Sequence, residues 1–378
     1  MNIDDIVAKV MEALKKEMND MGHVNIIVAG KTGVGKSTLI NSVFREKLAD
    51  TGIGAPVTQT IKELTKKDFP LRVYDTVGLE LESDKQRQVS EDINNIIKDA
   101  LSSGNKDKFI HCIWYCINVN SNRLESTEEA FIDQLAKDNK HTGVPVIIVL
   151  TIAHNKTLSQ NMKNYIDNRN LNVKGACIVL AEDYEDEDFC RKAYGGDRLI
   201  EFTLNILPEA AQKAFINAQR ASLKLKRNKS QAIIASFVAA SFAEGFAPIP
   251  FADAALLIPT QVGMIAAITT VYGFRVDKSM ITAMVTSLVG ISGTTVLGKT
   301  IVGNLIKLFP GVGTAIGGMI NGATASVLTT ALGETYIVIM EMLAKGEINE
   351  NDLKTEKFAE VIKDVFKSKS ANKKNSLV

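Results

Sequence analysis

A chain of 378 residues with 44 lysines and arginines against 43 acidic residues has room for about two or three domains. Its charge balance singles out neither nucleic acid nor a membrane surface as a partner. The four cysteines, at 112, 116, 177 and 190, form no CxxC pair, and the histidines at 23, 111, 141 and 154 show no ligand spacing, which argues against a zinc site or a disulfide framework.

In chain order, residues 1–22 read as an amphipathic helix. Ile3, Ile6, Val7, Val10, Met11, Leu14 and Met18 recur at helical spacing on one face. Charge along the first 20 residues argues against a signal peptide. The helix is expected to pack on a neighbouring domain.

Residues 23–207 alternate apolar runs with helical patterns. The strands are expected at 25–29, 71–75, 109–119, 144–150 and 176–181, with a helix at 126–137 among the stretches between them. This alternation predicts an α/β domain, a mostly parallel sheet with helices on both faces.

Between the first strand and a helix stands Gly30-Lys31-Thr32-Gly33-Val34-Gly35-Lys36-Ser37, a full match to G-x-x-x-x-G-K-[ST]. The glycines let successive N–H groups of Gly33, Val34, Gly35, Lys36, Ser37 and Thr38 face a phosphate, and the following helix points its positive end there. Gly30 and Thr32 complete the loop, Lys36 supplies charge, and the Ser37 hydroxyl is a Mg²⁺ ligand candidate. Asp75-Thr76-Val77-Gly78 has the D-x-x-G form at a strand end: Asp75 is a second Mg²⁺ candidate and Gly78 a γ-phosphate contact. The glycine-containing stretch 51–60 reads as a flexible loop. In it Thr58 is the candidate switch threonine, contacting Mg²⁺ and the γ-phosphate, and Thr60 the second choice. Lys36 and Thr58 are thus the catalytic candidates.

Three segments fit a Ras-like P-loop G domain, and guanine is the expected base by architecture. The base motif [NT]-K-x-D is incomplete: the position reads Thr151-Ile152-Ala153-His154. Thr151 is kept, His154 is a substitute base contact, and the backbone at Leu180 and Ala181 is expected to meet the base. Leu79 stands where a water-orienting Gln is common, and Gly33 where potassium-activated GTPases carry Asn. Slow hydrolysis, stimulated by a partner or by a second copy through the G domains, is the expectation.

Residues 208–229 read as a polar connecting helix ending in the basic cluster 224–229. Residues 230–345 are rich in Gly and Ala, and 254–274, 279–298 and 308–333 are apolar runs, all three uncharged and each long enough to span a bilayer. They read either as segments that meet a membrane or hydrophobic partner, or as buried helices of a soluble bundle, all-α in both cases. Asp253 is a helix-cap candidate. Residues 346–378 read as a helix followed, from Lys367, by a disordered basic tail.

The run FAPIPFADAALLIPTQV at 246–262, with GKT at 298–300, FPGVG at 309–313 and LTTALG at 328–333, resembles the DUF697 domain. In bacteria that domain is often fused behind an Era/TrmE-like GTPase, of the 50S-ribosome-binding-GTPase type. GAPVTQ at 54–59 is similar to the second motif of that group, which supports Thr58. The resemblance implies a G domain binding GTP or GDP with Mg²⁺. It also makes the missing base-motif Asp a familial trait, whereas Ile152 departs from the family's Lys. A looser similarity to immunity-related and dynamin-like GTPases, which act on membranes, is analogy alone. The implied place is the cytoplasm, with the chain peripheral or integral at the cytoplasmic membrane. The alternatives are a soluble switch binding a protein or ribonucleoprotein, and a nucleotide-binding protein with negligible hydrolysis.

Overall fold

The computed structural model describes residues 3–51, 53–76, 83–121, 124–187, 189–244, 257–274, 276–290 and 322–375. Two compact units emerge, one of residues 21–222 and one joining residues 1–20 to 223–378.

In the first unit, β1 (Val24–Ala29) is entirely buried and leads into the phosphate loop and α2 (Lys36–Val43). The sheet runs β2 (Ile53–Pro56), β3 (Ile61–Thr65), β4 (Leu71–Thr76), β1, β5 (Cys112–Asn118), β6 (Val146–Thr151), β7 (Ala176–Ile178). From β4 to β7 the pairing is parallel; β2 and β3 are antiparallel additions. The central parallel strands are mostly apolar runs because both their faces are covered, while β4 also carries Arg72 and Asp75.

Alternate residues of β1 serve opposite faces. Ile27 and Ala29 join Ile113, Tyr115, Ile148 and Leu150 beneath α4 (Ser83–Ser102), α5 (Ser126–Asp138) and α6 (Lys156–Asp167). Trp114 points the other way. It stacks on Phe44 at 5.7 Å, Phe44 meets Phe215 edge-on, and the indole N–H donates to Thr203 Oγ1. Thr203 lies on α7 (Gly196–Ile206) and Phe215 on α8 (Glu209–Ala218).

Several expectations change here. The stretch 51–60 is no loop throughout: Ile53–Pro56 pairs antiparallel with β3, and α3 (Leu48–Thr51) precedes it. The connecting segment 208–229 is two helices rather than one. It breaks at Gln219–Ser222, where Phe44 and Gln219 form a β-bridge and the buried Gln219 side chain closes on Ser222 in both directions.

The second unit contains α1 (Ile3–Asn19), α9 (Leu223–Glu244), α10 (Leu257–Tyr272), α11 (Lys278–Gly290), α12 (Gly322–Lys345) and α13 (Glu356–Asn375). α1 buries Ile6, Val7, Val10 and Leu14 on its apolar face and lies against α10 and α11. α12 lies against α9, α10 and α13. Gly333 lets α9 approach, since a Cβ there would sit 2.6 Å from Ile234 Cγ1.

The tail read as disordered from Lys367 is helical to Asn375. Phe358, Ile362, Phe366 and Ser370 recur every fourth residue and are buried, so the stripe that orders the helix runs on through the lysine-rich end. Asp253, and the 298–300 and 309–313 motifs, lie outside the described residues.

Candidate nucleotide-binding site

The phosphate loop leaves β1 at Gly30, whose φ of +143° and tight fit demand glycine: a Cβ there would stand 2.4 Å from the Cys116 carbonyl oxygen. Gly33 and Gly35 take φ of +74° and +87°, which turn the main chain round the loop. Gly35 is the N-cap of α2, so the positive end of that helix faces the loop's interior. Thr32, Gly33 and Ser37 are exposed, Thr38 is half-buried, and Val34 is buried.

Lys36 is buried, and its ammonium donates to the carbonyls of Gly30 at 2.8 Å and Lys31 at 3.0 Å. Burial lowers its pKa, partly offset by the charge of Asp75. Burial in turn raises the Asp75 pKa, against the pull of Lys36 and Lys62. Asp75 pairs in register with Val28, one residue before Ala29, so strand pairing alone brings it to the root of the loop. Its Oδ1 is buried with no hydrogen-bond partner. An orphaned carboxylate oxygen suits a hard cation that keeps most of its own water, and the exposed Ser37 hydroxyl is a further oxygen donor of the phosphate loop. Among the described residues no three His, Cys, Asp or Glu side chains cluster as a metal site.

Thr58 lies in the turn between β2 and β3, beside the end of β4, since Ile61 faces Thr76. Its Oγ1 accepts from the Thr60 and Ile61 N–H groups at 3.1 and 3.0 Å. The Thr60 hydroxyl donates to Asp92 Oδ2 at 2.6 Å, which ties the turn to α4. Burial would raise the Asp92 pKa, but hydrogen bonds from Thr60, Thr58 and Gln88 outweigh it and hold the carboxyl below its usual range. Gly78 and Leu79 lie outside the described residues.

At the base end, Thr151 has its hydroxyl engaged within the protein. Thr151 is buried, and its hydroxyl lies 2.5 Å from the Val34 carbonyl and 3.0 Å from that of Ile117. It holds the phosphate loop. Ile152 adopts φ +53°, a rare setting for a β-branched residue, and its side chain lies against Gly35. Asn120 donates to the Ile152 carbonyl at 3.2 Å, which helps keep that turn. The Leu180 N–H is taken by the Tyr194 carbonyl, so the backbone donor expected to meet a base is engaged; Ala181 follows it, half-buried.

His154 stacks on Tyr184 at 4.3 Å, nearly parallel. Tyr184 comes from a hairpin of β8 (Tyr184–Asp186) and β9 (Phe189–Arg191), and Tyr194 donates from its hydroxyl to the Ala153 carbonyl at 2.7 Å. Sequence reasoning missed Tyr184, Tyr194 and Asn120, because none belongs to a phosphate or base motif. The run Tyr184-Glu185-Asp186-Glu187 does not alternate, so the strand there leaves no sequence signal.

Residues 25–152 match the family described as 50S ribosome-binding GTPase, and residues 209–371 match a domain of unknown function, DUF697. Among curated proteins, the tRNA modification GTPase MnmE of Prochlorococcus marinus is 29% identical over 177 residues, 45% of this chain and 33% of that protein. Neuronal-specific septin-3 of Danio rerio is 26% identical over 211 residues, 50% of this chain and 55% of the septin. Translocase of chloroplast 108 of Physcomitrium patens is 36% identical over 103 residues, 27% of this chain and 10% of the translocase. The chain thus spans between a tenth and about half of these relatives' lengths. Of solved structures, Arabidopsis thaliana Toc33 in complex with Mg²⁺ and GMPPNP aligns over 56% of this chain and 92% of its own, at 17% identity and a TM-score of 0.31. The chain therefore joins a G domain of the 50S ribosome-binding GTPase family to a C-terminal DUF697 domain.

Proposed function

We propose that this is a Mg²⁺-dependent GTP-binding protein with slow GTPase activity, switched by its nucleotide. One observation carries the reading. The buried Lys36 ammonium rests on two carbonyls of its own loop, beside Asp75, whose Oδ1 has no hydrogen-bond partner. A di- or triphosphate and its metal would satisfy both groups. Ser37, Asp75 and Thr58 are the metal candidates; Gly30, Thr32, Gly33, Val34, Gly35, Lys36, Ser37, Thr38 and Gly78 the phosphate candidates. Thr58 reaches that role only if its turn reorganises, which is the behaviour of a switch threonine. Thr151 acts here through the loop, while His154, Leu180 and Ala181 remain the base candidates. In the native full chain, a fluorescent GDP or GTP analogue should bind only with Mg²⁺ for the triphosphate, and Lys36→Ala should abolish binding without unfolding. Equal binding by the variant would end this reading.

For the DUF697 half, a membrane or hydrophobic partner and a soluble docking bundle remain rival readings. Ser326–Lys345 is long and apolar enough to cross a membrane by length and composition. Yet within it Glu341 pairs with Arg227 at 2.7 Å, and Glu334 meets Gln231 and Lys369. Those ion pairs favour a water-soluble bundle that docks a partner. Flotation of the full chain with vesicles, in GDP and in a non-hydrolysable GTP analogue, decides between them: flotation with the GTP form supports the membrane reading. Pairing of two copies through their G domains belongs to the same proposal, and the mass in solution with each nucleotide tests it.

A further inference from the structure

The phosphate loop contains a second lysine, and its side chain leaves the site. Lys31 Nζ reaches Glu128 Oε2 at 2.7 Å and Glu125 Oε2 at 3.2 Å. Glu128 lies in the first turn of α5 and is only 4% exposed, a setting in which an unpaired carboxylate is costly. Its other oxygen accepts from the Tyr115 hydroxyl at 3.1 Å, and Tyr115 is itself buried on β5. Tyr115 sits beside Ala29 in the sheet register. The carboxylate is therefore fixed from the core side and grips the loop from the other. Burial would lower the Lys31 pKa, but its bonds to Glu128 and Glu125 outweigh this and raise it, so the ammonium stays charged in the pair.

The same Lys31 offers its carbonyl to the Lys36 ammonium. A contact chain thus runs from Tyr115 through the Glu128 carboxylate and the Lys31 side chain to the main chain that receives Lys36. No phosphate-loop, switch or base motif contains Glu128.

We propose that Glu128 is a positioning residue for the phosphate loop. Through Lys31 it fixes the carbonyl on which Lys36 rests, and so sets affinity for the diphosphate portion common to GDP and GTP. The inference rests on the nucleotide reading above and adds a residue to it. A carboxylate that acts on the shared phosphate cradle affects both nucleotides alike. One that acted on the γ-phosphate would discriminate between them.

The test uses the full chain, with Glu128→Gln, Lys31→Met, the double variant and Lys31→Arg. Affinities for GDP and for a non-hydrolysable GTP analogue are measured with Mg²⁺, and amide hydrogen exchange over residues 31–36 is followed in nucleotide-free protein. Glu128→Gln keeps the shape and still accepts from Tyr115, while removing the charge. It should weaken both nucleotides by a similar factor, about tenfold, the usual size of a lost charge-assisted bond. It should also speed exchange at the loop. Lys31→Met should match it, the double variant should be no worse than either single one, and Lys31→Arg should stay near the unmodified protein. Fully additive losses, unchanged affinity with unchanged exchange, or a loss confined to the triphosphate would overturn the proposal. So would an unmodified chain that binds neither nucleotide, and that titration alone tells failure of the nucleotide reading from failure of the clamp.

Discussion

The Thr151 hydroxyl and the Val34 carbonyl lie 2.5 Å apart, which fastens the end of β6 to the crown of the phosphate loop. The bond joins residues 117 positions apart in the chain, so a base-motif threonine here serves the phosphate end of the site. Thr151→Val keeps the volume and leaves the Val34 carbonyl buried without this donor. That should cost about 1–3 kcal/mol. We expect nucleotide affinity to drop by about tenfold or more, with a lower melting temperature, measured by fluorescence titration and calorimetry. Unchanged affinity would mean that this bond does not set the phosphate loop.

Gly30 tolerates no side chain. A Cβ would meet the Cys116 carbonyl oxygen at 2.4 Å, at a φ that L-residues avoid. Gly30→Ala should abolish nucleotide binding and cost several kcal/mol, since both strain and overlap act at once. Gly33→Ala meets nothing within 4 Å and carries the φ penalty alone, so it should cost about 1 kcal/mol. Calorimetry on the two variants side by side checks the ranking.

Thr58 and Thr60 should separate by nucleotide. Thr58→Ser keeps the hydroxyl that closes the turn, whereas Thr58→Ala removes it. The Ala variant should bind GDP within about twofold of the unmodified chain and lose the Mg²⁺-dependent preference for a GTP analogue, as expected of a switch threonine. Thr60→Val, which removes the Thr60 bond to Asp92, should loosen the turn in both states. If Thr60→Val and not Thr58→Ala removes the preference, the assignment is reversed.

The helical C-terminus is open to a plain stability test. Phe366 is 1% exposed, so Phe366→Ala should lower stability by about 3–5 kcal/mol in urea unfolding of the full chain. Unchanged stability would mean that Phe366 is not packed against the other helices of its unit.

Asp133 supplies a pH signature. Hydrogen bonds from Lys137 and then Asn172 hold its carboxyl down at about 2, below the ordinary 3.8. A carboxyl depressed by folding adds stability above its unfolded-state value and loses it as pH falls through the folded value. The side chain is partly exposed and open to solvent screening, so the gain should be under about 1 kcal/mol. Asp133→Asn should melt slightly lower than the unmodified chain at pH 7, with the gap closing toward pH 2.

The order of strands and the phosphate loop were legible because both rest on local rules. Buried strands such as Val24–Ala29 and Val146–Thr151 are apolar at every position but one, and the loop glycines meet backbone demands that few other residues satisfy. The β2–β3 hairpin was hidden because Gly54 and Pro56 are poor strand formers, and cross-strand pairing to β3 supplies what propensity withholds. Glu128, Asn120 and Tyr184 were illegible for another reason. Each acts across a sequence gap, and nothing in its own neighbourhood marks it. The helical end at Lys367–Asn375 was misread because its composition is that of a solvated tail, whereas Phe366 and Ser370 continue a stripe begun eight residues earlier at Phe358.

The membership of α1 in the second unit has a consequence for biosynthesis. α1 is made before the G domain, yet its packing partners α10 and α11 begin at Leu257 and Lys278, after the whole G domain. At about 5–20 residues per second, its apolar face waits on the order of ten seconds or more for a surface to cover it. During that interval the G domain can already fold, while Ile6, Val7, Val10 and Leu14 stand open to water or to a chaperone. A nascent chain stalled before residue 257 should therefore be sticky along α1, because the helices that cover it are made only after the G domain.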